Sequence, residues 1–449
     1  MDAMSIASSA PSGKYQGAMF MNPRLTRRMV GALRARLPDA GLRAVHDPRR
    51  QGQVKWPLEC LLSTLLVGMA AGCRSLAETE RLSEQFSPAT NRALGLRGRL
   101  PDTTARDLLE RLSPDDIRAC NHRVIRKAHR RKSLQRDPAL PIGAVAIDGK
   151  VTALPASHDS CAQRQEKPSG GMQGLLRTQT CCLISHIGAP CLDAVPIPAA
   201  TNEMGNFPAV VDALVGTYGN LGLFSLVIGD AGACSKDNAS HIRSRSLDYM
   251  LRINANQPTL LEEARRFFQS PAAPQSFSVE GPPRTNSRVV YTIQTTEEMA
   301  AFHGWDHLQT VVRIRRTVTS PKGSVIQQGE RFWVSSLPES ALSPAQWAAL
   351  ARLYWGVENR CHNTFDVAFH EDDRPWIKTE PVATLVLLLL RRIAYNILSL
   401  FRARTLRSDD CRNIAWEHLL CLFSFALISA TYEHLRGLRR RSPQQSLLV

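Results

Sequence analysis

Hydrophobic and polar positions change their spacing about a third of the way along the chain. Before that point, residues 23–140 have the pattern of helices. Pro57 suits the first turn of one that runs to about Cys73, and another covers Asp115 to about Lys132. After it, short apolar runs bounded by turn residues predict strands at 142–147, 178–186, 191–197, 223–228 and 248–253. Helices are predicted between the later strands, at about 207–218 and 235–244. This order of elements indicates an α/β fold.

A second group of strand patterns interrupts this order after Asn256. Alternating or β-branched segments predict further strands at 288–294, 308–316 and 331–335. Helical patterns return at about 343–367 and again across 380–445. The predicted domains are, in chain order, a flexible tail (1–22), a helical basic domain (23–140), an α/β core (141–257 and 338–395) with a β-strand insertion (258–337), and C-terminal helices (396–449).

Three acidic residues stand out from these patterns. Asp148 and Asp230 each follow a buried-strand pattern, and ligands of open α/β sheets bind at the carboxyl ends of the strands. Glu358 has helical spacing within an apolar stripe that should face inward, where a carboxylate needs a partner. The stripe comprises Trp347, Ala351, Tyr354, Cys361 and Phe365. Together the three acids suit Mg²⁺ or Mn²⁺. The alternative for each aspartate is a turn or helix cap, because a glycine adjoins both.

Basic residues are concentrated in the first third of the chain. The net charge is +16, and residues 1–140 hold 25 Lys and Arg against 13 Asp and Glu, whereas the remainder holds 31 against 27. This excess predicts a polyanion such as DNA as the partner, with an overall arginine-rich composition as the alternative. The candidate phosphate contacts on the last predicted helix of this region are Arg126, Lys127, Arg130 and Arg131. A helix cap or a solvated face is the alternative for them.

Cysteines and apolar stretches limit the possible classes further. Eleven cysteines are scattered without a Cys-x-x-Cys pair, which disfavours a disulfide framework or a zinc ribbon and favours a reducing cytoplasm. No signal-peptide pattern is evident. The most apolar stretches, Cys60–Cys73 and Val382–Leu390, are shorter than the ~20 residues that span a bilayer, so no membrane partner is expected.

Four sequence blocks carry a resemblance to a known family. They are Asp148-Gly149-Lys150, Thr201-Asn202-Glu203, Gly229-Asp230-Ala231 with Asn256-Gln257 downstream, and Trp355–Asp372. They resemble blocks of the DDE transposases of bacterial insertion sequences, in the branch whose RNase H-like core carries a β-strand insertion. The block around Glu358 is the most specific, and the resemblance covers roughly residues 45–395.

The resemblance implies a DNA transposase that cleaves element ends with metal ions and then transfers the strand into target DNA. It implies that Asp148, Asp230 and Glu358 are catalytic and hold two Mg²⁺ or Mn²⁺ ions, with Asp148 bridging them. Lys150 and Arg360 become candidate phosphate contacts, with a surface ion pair as the alternative for each. No catalytic role is assigned to Asn202 or Glu203.

The implied partner is double-stranded DNA, both element ends and target, bound by a homodimer in the bacterial cytoplasm and associated with the nucleoid. Two other functions stay open at this point. One is an RNase H-like nuclease that cleaves without strand transfer. The other is a catalytically inactive DNA-binding protein derived from a transposase.

Overall fold

The structure, a computed structural model, describes residues 22–50, 52, 54–155, 161–270, 273–281, 286–406 and 413–438. The tail predicted for residues 1–22 lies outside this part of the chain, apart from Asn22. Within it, the chain combines helices with a ten-stranded mixed sheet, which confirms the predicted α/β class.

Six α-helices precede the sheet in the described chain. They are α1 (Pro23–Arg36), α2 (Leu58–Ala70), α3 (Leu76–Gln85), α4 (Pro88–Leu94), α5 (Asp102–Leu109) and α6 (Pro114–Arg130). Four of these helices have an N-cap residue whose side chain accepts a hydrogen bond from a backbone N–H of the first turn. These residues are Asn22, Ser75, Ser87 and Ser113. α2 is buried on nearly all sides, so it forms the centre of this region.

The first six strands form the part of the sheet that carries the strand-end aspartates. They are β1 (Ala144–Pro155), β2 (Ala162–Glu166), β3 (Met172–Cys182), β4 (Cys191–Pro196), β5 (Leu226–Gly229) and β6 (Asp248–Ile253). β1 pairs antiparallel with β3 and parallel with β5, and β5 pairs parallel with β6. β4 lies on the other side of β3. With α7 (Glu203–Tyr218) and α8 (Lys236–Ser244) in the connections, this arrangement is that of an RNase H-like core.

The buried runs at the centre of the sheet are apolar on both faces. Ala144 and Ala146 of β1 pack into one hydrophobic core, whereas Val145 and Ile147 pack into a second core on the opposite face. A strand that is covered on both sides needs a continuous apolar run instead of alternation, which is the pattern that the sequence has here.

The strands after β6 continue the same sheet. α9 (Pro258–Gln269) is followed by β7 (Phe277–Glu280), β8 (Arg288–Thr296), β9 (Thr310–Thr319) and β10 (Val325–Ser335). These four pair as consecutive antiparallel neighbours, and β10 also pairs with β6. The boundaries proposed between core and insertion stay a prediction.

The helix predicted at about 343–367 is interrupted. α10 (Pro344–Tyr354) ends before Glu358, a π-helical turn covers Val357–His362, and α11 (Asn363–Val367) follows. The other members of the predicted stripe are buried, but Glu358 is exposed. The prediction of a regular helix with Glu358 on its inward face was wrong, because the wider turn changes the direction of side chains and apolar spacing does not show such a change.

α12 (Pro381–Thr405) packs against α6 and α2, and α13 (Trp416–Ser429) packs against α1. α12 extends well beyond the apolar stretch noted in the sequence. By length and composition it could span a membrane, but its most apolar 18-residue window is entirely buried within the protein. The Asn396 carboxamide accepts a hydrogen bond from the backbone N–H of Cys191 at 2.8 Å and donates one to Asn121 at 2.8 Å. α12 is thereby fixed to β4 and α6.

Candidate active site

Strand register brings Asp148 and Asp230 to the same edge of the sheet. β1 and β5 run parallel, and the last residues paired between them are Ile147 and Gly229. The residues that follow are Asp148 and Asp230, so both lie where β5 ends. β1 continues along β3, which holds Asp148 within a strand, whereas Asp230 starts a short 3₁₀ turn. Its Oδ1 accepts the N–H of Ala233 at 3.2 Å, so Asp230 also has the capping role considered for it.

Asp148 lies in a strongly acidic environment. Its side chain is 12% exposed. Burial, together with the negative charges of Asp230, Glu358 and Glu203, raises the pKa of Asp148 to about 7. The carboxylate from the π-helical turn therefore acts on the same region as the two strand-end aspartates, although it is distant from both in sequence.

Tyr354 gives a second indication that these carboxylates lie together. Its ring is buried, and burial raises its pKa, with smaller contributions from the charges of Asp148, Asp230 and Glu358. Tyr354 is the last residue of α10, and Trp355 and Gly356 separate it from the π-helical turn. One buried phenol thus lies within electrostatic range of all three acids proposed from the sequence.

Glu203 is a fourth acid at this site. It is the first residue of α7, where the Asn202 side chain caps the helix by accepting the N–H of Gly205 at 2.9 Å. Burial raises the pKa of Glu203, and the charge of Asp230 adds to the increase. No role followed from the sequence, although Gly149 carries a signal: its missing side chain leaves the space that the Glu203 carboxylate occupies.

His362 contacts Asp148 from the end of the π-helical turn. Its Nδ1 lies 3.5 Å from Oδ2 of Asp148, and the imidazole is buried. Burial, together with the positive charges of Lys150 and Arg392, lowers the pKa of His362 to about 3. The ring is therefore neutral at physiological pH and does not neutralise the charge of Asp148. No role for His362 followed from the sequence.

The acid cluster fits a divalent cation by its chemistry. Among the described residues, no Lys or Arg forms an ion pair with Asp148, Asp230, Glu203 or Glu358. Carboxylate oxygens are the ligands that Mg²⁺ and Mn²⁺ prefer. We compared groups of three potential ligand atoms from Asp, Glu, His and Cys side chains. Among the described residues, one such group has all its atoms within 4.8 Å of one another, and it consists of the buried thiols of Cys182, Cys191 and Cys361. The carboxylates stand further apart, as expected for like charges that repel one another without an ion.

Lys150, a candidate phosphate contact, is paired with two acidic side chains of the protein. Its side chain is 7% exposed, and its Nζ lies 2.5 Å from Oδ1 of Asp366 and 3.2 Å from Oδ1 of Asp372. The ion pair weighed as its alternative is present, in a largely buried form. Arg360, the other candidate, is exposed on the π-helical turn.

The basic residues proposed for α6 lie in its last turns or directly after its end. Arg126, Arg130 and Arg131 are exposed, and Lys127, Arg130 and Arg131 line a shallow depression of about 290 Å³. Two of them have partners within the protein. Arg131 forms an ion pair of 2.6 Å with Asp39, and Lys127 donates to the carbonyl of Pro38 at 3.4 Å. Arg126 and Arg130 are the better candidates for contact with a polyanion.

Comparisons with known proteins add a family to this geometry. The family described as "Transposase DDE domain" matches residues 141–397, which include Asp148, Asp230 and Glu358. The Escherichia coli K12 protein named "Putative protein YbfL" is 23% identical over 367 residues, which cover 79% of this chain and 88% of that protein. "H repeat-associated putative transposase YhhI" of the same strain has the same identity and coverage. Because the family match spans more than half of the chain, this protein belongs to the transposases with a DDE domain.

Proposed function

We propose that this protein is a DNA transposase that cleaves the ends of its element in a metal-dependent reaction and joins them to target DNA. One observation carries the proposal. The parallel register of β1 and β5 sets Asp148 beside Asp230, and the charges of Asp230 and Glu358 act on the buried carboxyl group of Asp148. Such a group of neighbouring carboxylates is suited to divalent ions that act on phosphodiester bonds.

Asp148, Asp230 and Glu358 would hold these ions, Mg²⁺ or Mn²⁺. When bound, a pair of divalent ions activates the attacking oxygen and stabilises the leaving oxygen of a phosphodiester. The chain itself orients the ligands: β-pairing holds Asp148, the 3₁₀ turn holds Asp230, and His362 contacts the carboxylate of Asp148.

The raised pKa of Asp148 links the binding of a cation to the release of a proton. With a pKa of about 7, the Asp148 carboxyl group holds a proton in part of the metal-free molecules at neutral pH. A ligating carboxylate must be deprotonated, so this proton leaves when a cation binds. His362 does not take up the proton, because its own pKa is lowered to about 3.

Double-stranded DNA is the proposed partner, both as element ends and as target. The exposed arginines of α6 provide positive charge for contact with the phosphate backbone. We extend the proposal to a homodimer assembled on DNA in the bacterial cytoplasm, associated with the nucleoid, as the family resemblance implies.

A strand-transfer assay tests the proposal and separates it from the two alternatives. The purified protein is incubated with Mg²⁺, labelled DNA that carries the element's terminal repeats, and a target plasmid. A transposase produces cleaved ends with a 3′-hydroxyl and then joined products, and Glu358→Gln produces neither. A nuclease without strand transfer yields cleavage but no joined product. Binding of the ends without cleavage in Mg²⁺ or Mn²⁺ would identify an inactive DNA-binding protein.

A further inference from the structure

Three cysteines from separate segments of the chain meet in the core beside the π-helical turn. Cys182 ends β3, Cys191 begins β4, and Cys361 lies in the turn itself. Their sulfur atoms all lie within 4.8 Å of one another, and all three residues are fully buried. A metal ion with bonds of ~2.3 Å to three sulfur atoms needs those atoms about 4 Å apart, so the thiols are close to the spacing of a metal site. The proposed function does not use them.

A buried cation distinguishes this group of thiols from ordinary packing. A buried cysteine commonly acts as a small apolar side chain, and that alone would explain three thiols in a core. The guanidinium group of Arg392, however, is also buried. It forms an ion pair with Glu371, and its Cζ lies 3.9 Å from the centre of the Phe365 ring. Within the described part of the chain, its Nε and Nη2 have no hydrogen-bond partner.

The charge of Arg392 acts on the thiols. Although burial opposes the effect, the charge of Glu371 raises the pKa of Arg392, and Cys191 and Cys361 contribute to the increase. By the same interaction, Arg392 favours the thiolate form of these two cysteines, and the thiolate is the form that binds a metal. A purely apolar core leaves this cation with free donors, whereas thiolates held by a metal ion give it a counter-charge.

The set of ligands selects the kind of ion. Sulfur ligands favour soft ions such as Cu(I) and Zn²⁺, whereas Mg²⁺ and Mn²⁺ prefer oxygen. Structural Zn²⁺ is almost always bound by four ligands. Among the described residues, no fourth ligand atom of an Asp, Glu, His or Cys side chain belongs to this group. Three sulfur ligands in a buried core therefore fit Cu(I) better than Zn²⁺, and the site is chemically distinct from the acid cluster.

We propose that the thiols of Cys182, Cys191 and Cys361 bind one Cu(I) ion. Each thiol releases its proton when the ion binds, and the copper stays monovalent, so no electron is transferred. The ion would join the π-helical turn to the ends of β3 and β4. Because β3 pairs with β1, this link would fix the turn that carries Glu358 against the strand that carries Asp148. The site goes beyond the proposed function and does not depend on it.

Competition with a chelator tests the site in the full-length protein. The reduced protein is incubated to equilibrium, without oxygen, with the acetonitrile complex of Cu(I) and with bicinchoninate, whose coloured Cu(I) complex reports the copper that the protein leaves free. We expect the wild type to withhold one ion per chain. Cys182→Ala and Cys361→Ala should each lower the affinity by more than about 100-fold, because losing a group that merely supports a ligand already costs ~10–100-fold. Cys181→Ala is the matched control, because Cys181 is equally buried in β3 but packs into the core on the opposite face.

X-ray absorption at the copper edge tests the same site without a substitution, so it remains decisive if the variants fail to fold. We expect the copper-loaded wild type to show three sulfur neighbours around the ion and no nitrogen or oxygen neighbour. A spectrum with nitrogen or oxygen neighbours would place the ion elsewhere and would overturn the inference.

Three results of the competition experiment would also overturn it. They are a wild type that leaves all the copper with the chelator, an equal loss of affinity in Cys181→Ala and Cys182→Ala, and displacement of Cu(I) by an equal concentration of Zn²⁺. Neither measurement uses DNA or Mg²⁺, so a negative result leaves metal-dependent cleavage by the acid cluster untouched. Conversely, the copper measurements keep their meaning even if the wild type never cleaves.

Discussion

Gly149 and Glu203 approach so closely that a Cβ atom on residue 149 would lie 1.9 Å from Oε1 of Glu203. The glycine after Asp148 therefore leaves room for the fourth carboxylate of the site. The contact involves the far end of a flexible side chain, so a methyl group at residue 149 would displace the carboxylate of Glu203 before it disturbed the backbone.

Gly149→Ala should weaken metal binding without unfolding the protein. We expect its Mn²⁺ dissociation constant to rise about tenfold, as is common when a supporting group near a metal is lost, and Glu203→Gln to show a similar change. Calorimetric titration measures the constant, and Gly216→Ala is the control because this glycine of α7 has open space at its Cβ. Unchanged Mn²⁺ affinity in both variants would show that Glu203 does not support the site.

Asp148 gives the metal-free protein an unusual dependence of stability on pH. Its pKa is raised from 3.8 to about 7, so between these values the folded state holds a proton that the unfolded state has released. The free energy of unfolding therefore increases as the pH falls from about 8 to about 5, by at most ~1.4 kcal/mol per pH unit from this group.

Asp148→Asn removes this dependence. In EDTA the variant should melt at a higher temperature than the wild type at about pH 8, and the difference should shrink toward about pH 5, where the wild-type carboxyl group is protonated. Differential scanning calorimetry at both pH values measures it. A difference that stays constant across the range would mean that the pKa of Asp148 is not raised.

The arginines of α6 should supply affinity for duplex DNA but no chemistry. Each neutralised phosphate contributes a salt slope of roughly −0.9, so the double variant Arg126→Ala/Arg130→Ala should lose up to about 1.8 of the slope. Cleavage should return at high DNA concentration. Lys322→Ala, at an exposed turn far along the chain, controls for loss of charge alone. An unchanged slope in the double variant would exclude α6 from the DNA interface.

Lys150 should stabilise the fold through its ion pairs with Asp366 and Asp372. Lys150→Met leaves these carboxylates without their buried partner, and we expect the free energy of unfolding to fall by about 1–3 kcal/mol in urea denaturation. The salt slope of DNA binding should not change. Wild-type stability together with a slope reduced by about one phosphate would instead identify Lys150 as a phosphate contact.

The central strands and the two strand-end aspartates could be predicted from the sequence, because the fold imposes a simple pattern there. β1 and β5 are covered on both faces, so each appears as a continuous apolar run that ends at an acid. Parallel pairing between such runs brings their ends to one edge. The position of Asp148 beside Asp230 can therefore be predicted from the apolar runs of β1 and β5, each of which is followed by an aspartate.

Other features of the site depend on contacts or on local geometry that residue spacing does not show. The π-helical turn at Glu358 has the same apolar residues as a regular helix, and only its hydrogen bonds differ. Lys150 meets Asp366 across 216 positions of the chain, and no local pattern reports such a pairing. Glu203 could be recognised only by asking which side chain fills the space above Gly149.

A change of metal specificity tests the central claim, that these carboxylates bind the catalytic ions, most directly. Thiolates favour softer ions than carboxylates do, so Asp148→Cys should cleave element ends very slowly in Mg²⁺ and regain part of its activity in Mn²⁺. Asp148→Ser has a similar size without the sulfur and should stay inactive with either ion. Rates come from single-turnover cleavage of end-labelled DNA. Rescue of the cysteine variant alone would place Asp148 in contact with the ion. Normal cleavage by both variants in Mg²⁺ would contradict the account.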